Sequence, residues 1–354
     1  MDITVYFICF KRVKLNTKTS ATRGAVSFYL NKEYYFTVFY CMYRKYFQSG
    51  IVSTQFKNAS QKEKMMFAKT MFAGLLATAL VLPAVPFSAA ASDAYTRPMP
   101  TSPITSGPTT LGAEIPVVAV PLVAQTREAI LKEAATVAAL HPDMIEVRAD
   151  FWDFIEDTNA SVAMLRDINK VMKDIPILLT VRIKAERGNK DVTEKAKFDF
   201  YNAAAKEKLA DFIDMELAYG PEKIKAFKKG LEGTGVSLVV AYHDLKATPT
   251  QAEIVKIMER EIEAGGDVAK IVVKPNSEED VLTFLNGTLA FRRAHPSYPI
   301  IASGSGDTGR VTRLIGGLFG IDLTFASGVK GSNPTQMPVN VMRDSLSIIY
   351  PAAK

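Results

Sequence analysis

The run IPVVAVPL, residues 115–122, is the first of eight short apolar segments rich in Val and Ile that recur about every 30 residues. The other seven are MIEVRAD (144–150), PILLTVR (176–182), DFIDMEL (211–217), SLVVAYHD (237–244), VAKIVVK (268–274), PIIASGS (299–305) and IDLTFAS (321–327). Nearly continuous apolar runs of this length are typical of strands that are buried on both faces of a parallel sheet.

Helical patterns separate these runs. Leu165, Ile168 and Met172 form an apolar stripe at helical spacing, and Thr250 with Glu253 has the spacing of a capping box at a helix start. The alternation of strand and helix favours the α/β class, and within it a (β/α)8 TIM barrel. An open doubly wound sheet is disfavoured because the first strand is not followed by a Gly-rich phosphate fingerprint.

Composition excludes several classes of protein. The chain has 354 residues with 48% apolar content and 2 Cys, which excludes a disordered chain, a disulfide scaffold and a polytopic membrane protein. The net charge of +6 is uneven, since residues 1–92 carry +9 and the remainder −3. The part that can fold therefore has no basic field for nucleic acid. Cys9 and Cys41 precede it, so it has no thiolate nucleophile and no Cys-based zinc site.

The N-terminal part of the chain has the features of a segment that is removed by a signal peptidase. KEKMMFAK, an apolar stretch and SAAAS fit a secretory signal cleaved near Ala90 or Ala91. The alternative is a membrane anchor, but Pro83 and Pro86 interrupt the apolar run before it reaches the length of a span. We expect the following division: 1–64, a non-native or disordered extension preceding a true start at Met65 or Met66; 65–91, the signal peptide; 92–113, a Pro/Ser/Thr-rich linker; 114–354, the barrel. The expected location is outside the cytoplasm, in the periplasm, without a stable membrane anchor after cleavage.

Two side chains stand out at the strand ends, where barrels of this kind carry their active sites. His243 ends the fifth strand and is placed to transfer protons, whereas His141 and His295 precede prolines in loops at the opposite end. Lys270 lies inside an apolar run, where loss of hydration favours the neutral amine, a nucleophile toward carbonyl carbons. Lys274 shares its parity and either adds a like charge or extends to water.

Further charged residues cluster at neighbouring strand ends. Glu146, Arg148 and Asp150 share one parity, Arg182 ends the third strand, and Glu186 follows closely. Such charges are seldom buried unless they are paired or used, so the set predicts a site for a polar anion.

Six motifs together resemble type I 3-dehydroquinate dehydratase, the Schiff-base dehydratase of the shikimate and quinate routes. They are IEVRAD (145–150), TVRIKAE (180–186), DMEL (214–217), YHD (242–244), DVAKIVVKP (267–275) and RLIGGLFG…TFASG…SNPTQ (313–336). The similarity spans roughly residues 114–350, with the motifs in the family's order.

The resemblance implies a role for each matching residue. Lys270 would form an imine with the ketone of 3-dehydroquinate, His243 would move the proton, and Glu186 would orient His243. The substrate would be bound by a further set: Glu146, Arg148 and Arg182 at its ring hydroxyls, Arg313, Ser332 and Gln336 at its carboxylate, and Phe325 beside it. The resemblance implies neither a metal nor another cofactor, and it leaves a homodimer open.

This chain departs from the family at Ser303, Ser305 and Lys274, where methionines are frequent, and at Asn333 and Thr335, which replace small residues. These changes concern the shape of the pocket and its affinity for substrate. Two alternative functions stay open. One is another lysine-imine barrel enzyme, such as a class I aldolase, and the other is a non-catalytic exported binder of hydroxy acids. Export favours quinate catabolism over aromatic amino acid biosynthesis.

Overall fold

A computed structural model describes residues 97–350. The predicted extension (1–64) and signal peptide (65–91) lie outside the described residues. The strands are β1 (Ile104–Ser106), β2 (Thr109–Leu111), β3 (Val117–Leu122), β4 (Met144–Arg148), β5 (Ile177–Thr180), β6 (Phe212–Glu216), β7 (Ser237–His243), β8 (Val268–Val273), β9 (Ile300–Gly304) and β10 (Leu323–Phe325).

Strands β3 to β10 form a closed parallel barrel, in which β10 pairs with β3 and every other strand pairs with its neighbours in sequence. Each of the eight predicted runs contains one of these strands, slightly shorter than the run itself. The prediction of a (β/α)8 barrel is therefore confirmed.

Helices connect the strands on the outside of the barrel. They are α1 (Arg127–Ala138), α2 (Thr158–Met172), α3 (Glu194–Lys206), α4 (Pro221–Gly230), α5 (Gln251–Glu263), α6 (Glu278–Ala294), the short α7 (Gly306–Gly309) and α8 (Thr312–Ile315), and α9 (Val339–Ile349). The capping box of Thr250 and Glu253 is present at the start of α5 and satisfies backbone groups there. Within residues 97–350 none of these helices is both long and apolar enough to cross a membrane.

The core has an outer and an inner part. Alternate strand positions pack outward against the helices, while the others fill the barrel. The lower interior is apolar and contains Val117, Ala119, Met144, Leu178, Phe212, Val239, Val268, Ile301 and Leu323. Above this layer, toward the carboxyl ends of the strands, the inward positions carry charged side chains.

The described part of the predicted linker, residues 97–113, is folded, so the expectation that it is only a linker is corrected. Strands β1 and β2 form an antiparallel hairpin across the amino-terminal end of the barrel. Leu111 is buried with the lower interior layer. The buried Arg97 donates to Asp322 Oδ1 at 2.9 Å and to the carbonyl of Ala113 at 2.8 Å. This segment therefore closes the barrel from below.

Candidate active site

The two predicted reaction groups lie on neighbouring strands and face the barrel interior. Lys270 is the inward residue after Val268 on β8, and His243 is the last inward residue of β7. The register pairs Ala241 with Lys270 and His243 with Val272. His243 is thus one strand across and two residues further along, which corresponds to about 8 Å between the two Cα atoms.

Lys270 is held by charged partners. Its side chain is only 3% exposed, and Nζ donates to Asp214 Oδ2 at 2.6 Å and to Glu146 Oε1 at 3.4 Å. Nζ also lies 5.1 Å from the ring centroid of Phe325. The sequence-based expectation of an amine among apolar neighbours is therefore incomplete. The nitrogen sits between two carboxylates and an aromatic face.

Two acidic residues of β6 organise the site, and sequence analysis gave them no role. Asp214 accepts hydrogen bonds from both Lys270 and Arg182 Nη2, the latter at 2.6 Å. Burial opposes ionisation of Asp214, but the cations of Arg182 and Lys270 outweigh it and hold the pKa of Asp214 well below its usual range. Glu216, two residues further, lies 3.0 Å from Arg182 Nη1 and accepts from Lys197 Nζ. Two carboxylates spaced two residues apart in an otherwise apolar strand were the sequence signal that could have identified this pair.

His243 and Glu186 form a pair whose side chains are each 10% exposed. His243 Nδ1 lies 2.6 Å from Glu186 Oε2, and Arg182 Nη1 lies 3.6 Å from the same oxygen. Burial lowers the pKa of His243 well below its usual value, and the nearby cations of Arg182 and Lys270 act in the same direction. Burial also raises the pKa of Glu186 to about 8, although Arg182 opposes this. The imidazole is therefore neutral near pH 7 and able to accept a proton.

The residues expected at the ring hydroxyls are brought to the same interior. Arg148 donates through Nε and Nη2 to the two oxygens of Asp150, both at 2.8 Å. Glu146 accepts from Thr180 Oγ1 at 3.1 Å in addition to its contact with Lys270. Asp150 thereby fixes the Arg148 guanidinium in a bidentate arrangement.

The residues expected at the carboxylate come from the segments after β9 and β10, and they do not contact one another as a single set. Arg313 in α8 is buried, and its Nε and Nη1 have no hydrogen-bond partner. Burial lowers the pKa of Arg313 to about 10, and the nearby cation of Arg310 contributes to this. Gln336 Nε2 donates to Ser332 Oγ at 3.1 Å within the loop after β10. The unpaired donors of Arg313 can accept an anionic ligand.

Metal chemistry has no evident ligand set here. Among residues 97–350, no group of three or more His, Cys, Asp or Glu side chains is arranged to hold a metal ion. The acidic residues of the site are instead paired with Arg and Lys side chains.

Comparisons with known proteins agree with this geometry. The family of type I 3-dehydroquinase matches residues 118–352. A 3-dehydroquinate dehydratase from Geobacillus thermodenitrificans is 37% identical over 223 residues, which are 63% of this chain and 86% of that protein. The crystal structure of 3-dehydroquinate dehydratase from Geobacillus kaustophilus has a TM-score of 0.69 at 33% identity and covers 72% of this chain and 99% of that one. A type I enzyme from Clostridium difficile, with covalent modified comenic acid, has a TM-score of 0.68 at 29% identity and covers 71% and 99%.

Proposed function

Because the chain belongs to the type I 3-dehydroquinase family and is a hydro-lyase of that type, we propose that it converts 3-dehydroquinate to 3-dehydroshikimate through a Schiff base on Lys270. The family resemblance of the six motifs is confirmed by the match over residues 118–352. The observation that carries the proposed mechanism is the position of Lys270 Nζ inside the mouth of the barrel, one strand away from a neutral imidazole.

The first step forms the imine. The ammonium of Lys270 gives up a proton and its nitrogen adds to the ketone carbon. The carbonyl oxygen takes up that proton and a second one from the nitrogen and leaves as water, so that a protonated imine results. The positive charge of this iminium replaces that of the ammonium beside Asp214, whose Oδ2 is 2.6 Å from Nζ. Asp214 is therefore already oriented to stabilise the charge that the intermediate carries.

The second step is the elimination. The iminium carbon withdraws electrons from the adjacent C–H bond, and His243 takes that proton to leave an enamine. The enamine then expels the hydroxyl group from the next carbon, and the imidazolium of His243 returns its proton so that the group departs as water. Hydrolysis of the remaining imine consumes one water, releases 3-dehydroshikimate and restores the amine. The net change is the loss of one water from the substrate.

The remaining site residues support binding of a hydroxylated carboxylic acid. Arg313 offers unpaired donors to a carboxylate, while Glu146, Arg148 and Arg182 line the interior where ring hydroxyls would lie. We include Phe325 because its ring lies against the Lys270 amine. Because an arginine fork binds phosphate as well as carboxylate, it is the family match over residues 118–352 that favours this reaction over an aldolase acting on a phosphorylated sugar.

Borohydride trapping tests the mechanism. The protein is incubated with 3-dehydroquinate and borohydride, digested, and analysed by mass spectrometry, while turnover is followed by absorbance of the conjugated product. We expect an adduct on Lys270 and turnover by the unaltered protein. His243→Ala should keep the adduct and lose turnover, and Lys246→Met, which removes an exposed lysine of a neighbouring loop, should change neither.

The outcomes separate the three candidate functions. An adduct formed only with other carbonyl compounds would favour an aldolase-like enzyme, and binding without any adduct would favour a non-catalytic binder. Normal turnover in the His243→Ala variant would remove His243 as the proton-transfer group.

We also propose that the protein is exported to the periplasm. The proposal rests on the sequence of residues 62–91, in which a basic segment, an apolar stretch and small residues follow one another. Cell fractionation with an activity assay tests it, together with N-terminal sequencing of the mature protein. Activity confined to the cytosol, or an uncleaved signal segment, would contradict export.

A further inference from the structure

Unpaired hydrogen-bond donors collect at the ends of β8 and β9. Ser305 is 3% exposed and its Oγ has no partner, and Arg313 is 4% exposed with Nε and Nη1 unpaired. Lys274 is half-buried, and within residues 97–350 its Nζ makes neither a hydrogen bond nor an ion pair. Buried donors without acceptors are unfavourable, so this arrangement is suited to a ligand that supplies acceptor oxygens.

The backbone brings these three residues together. Thr312 Oγ1 accepts from the backbone N–H of Gly304 at 2.8 Å, which ties the helix turn that carries Arg313 to the end of β9, directly before Ser305. The register pairs Val273 with Gly304, the last residues of β8 and β9, so Lys274 and Ser305 directly follow the two neighbouring strands.

Strand alternation, continued one residue past the end of β8, places Lys274 on the interior side. It shares the parity of Lys270, which lies inside the barrel, and its backbone N–H donates to the carbonyl of Ala247 at 3.1 Å. Its ammonium is thus the outer of two cations on the same side of β8. Lys270 is paired with carboxylates, whereas Lys274 is not.

We propose that Lys274 and Ser305 bind the carboxylate of the substrate together with Arg313 and so determine specificity for an acid. This inference rests on the proposed function for the identity of the ligand. A carboxylate has about four lone-pair sites. The guanidinium fork of Arg313 fills two of them, and the hydroxyl of Ser305 and the ammonium of Lys274 fill the others.

The loop after β10 can add donors to the same carboxylate, because accepting a hydrogen bond leaves the hydroxyl proton of Ser332 free and Gln336 Nε2 has a second N–H. Ser332 Oγ already accepts from Gln336 Nε2, and Gln336 Oε1 accepts from the backbone N–H of Asn333 at 3.4 Å. Lys274 and Ser305 stand where the family often has methionines, which cannot donate a hydrogen bond. This chain therefore has a more polar carboxylate pocket than the resemblance alone implies.

Binding of an acid and of its ester tests the proposal. The dissociation constants of quinate and of its methyl ester are measured by isothermal titration calorimetry for the unaltered protein, Lys274→Met, Ser305→Ala and the control Lys246→Met. Because hydrogen bonds to a charged group are the stronger kind, we expect Lys274→Met to weaken binding of the acid about tenfold and Ser305→Ala about threefold. Both variants should weaken binding of the ester much less than binding of the acid, because a neutral ester oxygen accepts a weaker hydrogen bond than a carboxylate. Lys246→Met removes the same charge from an exposed loop position and should change the affinity for the acid less than twofold.

Each outcome bears on the proposal. Equal weakening for acid and ester, no weakening in either variant, or no binding of quinate by the unaltered protein would overturn it. A loss in Lys246→Met as large as that in Lys274→Met would also overturn it, because the effect would then be general charge attraction. The proposed function is tested separately, by turnover. If the protein binds quinate as expected but does not dehydrate 3-dehydroquinate, the proposed function is contradicted while the carboxylate site is supported.

Discussion

Replacing Glu186 by Gln tests whether the carboxylate of Glu186 supports His243 as the base of the reaction. When His243 takes the substrate proton it becomes a cation 2.6 Å from Glu186 Oε2. At an effective dielectric constant of about 20, a carboxylate at this distance stabilises that cation by about 6 kcal/mol. Arg182, 3.6 Å from the same oxygen, offsets part of this. Above pH 8, where Glu186 is ionised, we expect a net loss of about 3 kcal/mol in the variant, which is a decrease in kcat on the order of 100-fold.

The pH dependence gives a second measurement on the same variant. Burial raises the pKa of Glu186 to about 8, so its carboxylate, which orients Nδ1–H and leaves Nε2 free as a base, forms as the pH rises. We expect kcat/KM of the unaltered protein to rise with pH and to be half-maximal near pH 8. Glu186→Gln should lose this inflection because an amide does not titrate.

The matched control for this experiment is Glu207→Gln. Glu207 is exposed and paired with Arg166 on the outer surface, so its removal should leave both the rate and the profile unchanged. If Glu186→Gln keeps the rate within threefold and keeps the inflection near pH 8, then Glu186 is neither the titrating group nor a stabiliser of the imidazolium.

Two further substitutions are expected to change stability. Glu261 on α5 is fully buried and both its carboxyl oxygens lack hydrogen-bond partners, so burial raises its pKa well above the usual value. The folded state thus binds more protons than the unfolded state above about pH 4.5, and stability falls as the pH rises through that window, by up to about 1.4 kcal/mol per pH unit. Urea unfolding should show Glu261→Gln gaining stability relative to the unaltered protein between pH 5 and 8, and a constant difference would contradict this. Arg97→Ala should lower the free energy of unfolding by about 3 kcal/mol because it breaks a buried ion pair with Asp322. The exposed Arg166→Ala should lower it much less, and equal losses would mean that the contacts of Arg97 do not stabilise the barrel.

The strands were predictable from sequence because each is buried on both faces, so hydrophobicity alone marks it. The hairpin of residues 97–113 was not, because its strands have three residues each and its composition is that of a linker. Its stability comes from contacts across the chain: Arg97 is 225 residues from Asp322, and Thr101 donates to the carbonyl of Pro296. Local pattern carries no information about such pairs.

For the site, the sequence predicted on which face of a strand a residue lies. Parity put Glu146, Arg148 and Asp150 on one side of their strand, and in the structure all three are buried. Parity does not identify the partner of a side chain, because partners lie on other strands. Lys270 contacts Asp214 across 56 residues, and neither the charge around the amine nor the importance of Asp214 follows from the apolar run that contains Lys270.

Strand β6 connects the two halves of the reaction. Asp214 holds the Lys270 amine, while Glu216 accepts from the backbone N–H of Ile183 at 2.9 Å, and the carbonyl of Ile183 in turn accepts from the N–H of Glu186 at 3.0 Å. Arg182 bridges both carboxylates. Lys270 and Glu186 are therefore positioned by Asp214 and Glu216, two successive inward-facing residues of β6. Since a strand rises about 3.3 Å per residue, the two carboxylates that position these groups are about 6.6 Å apart along β6.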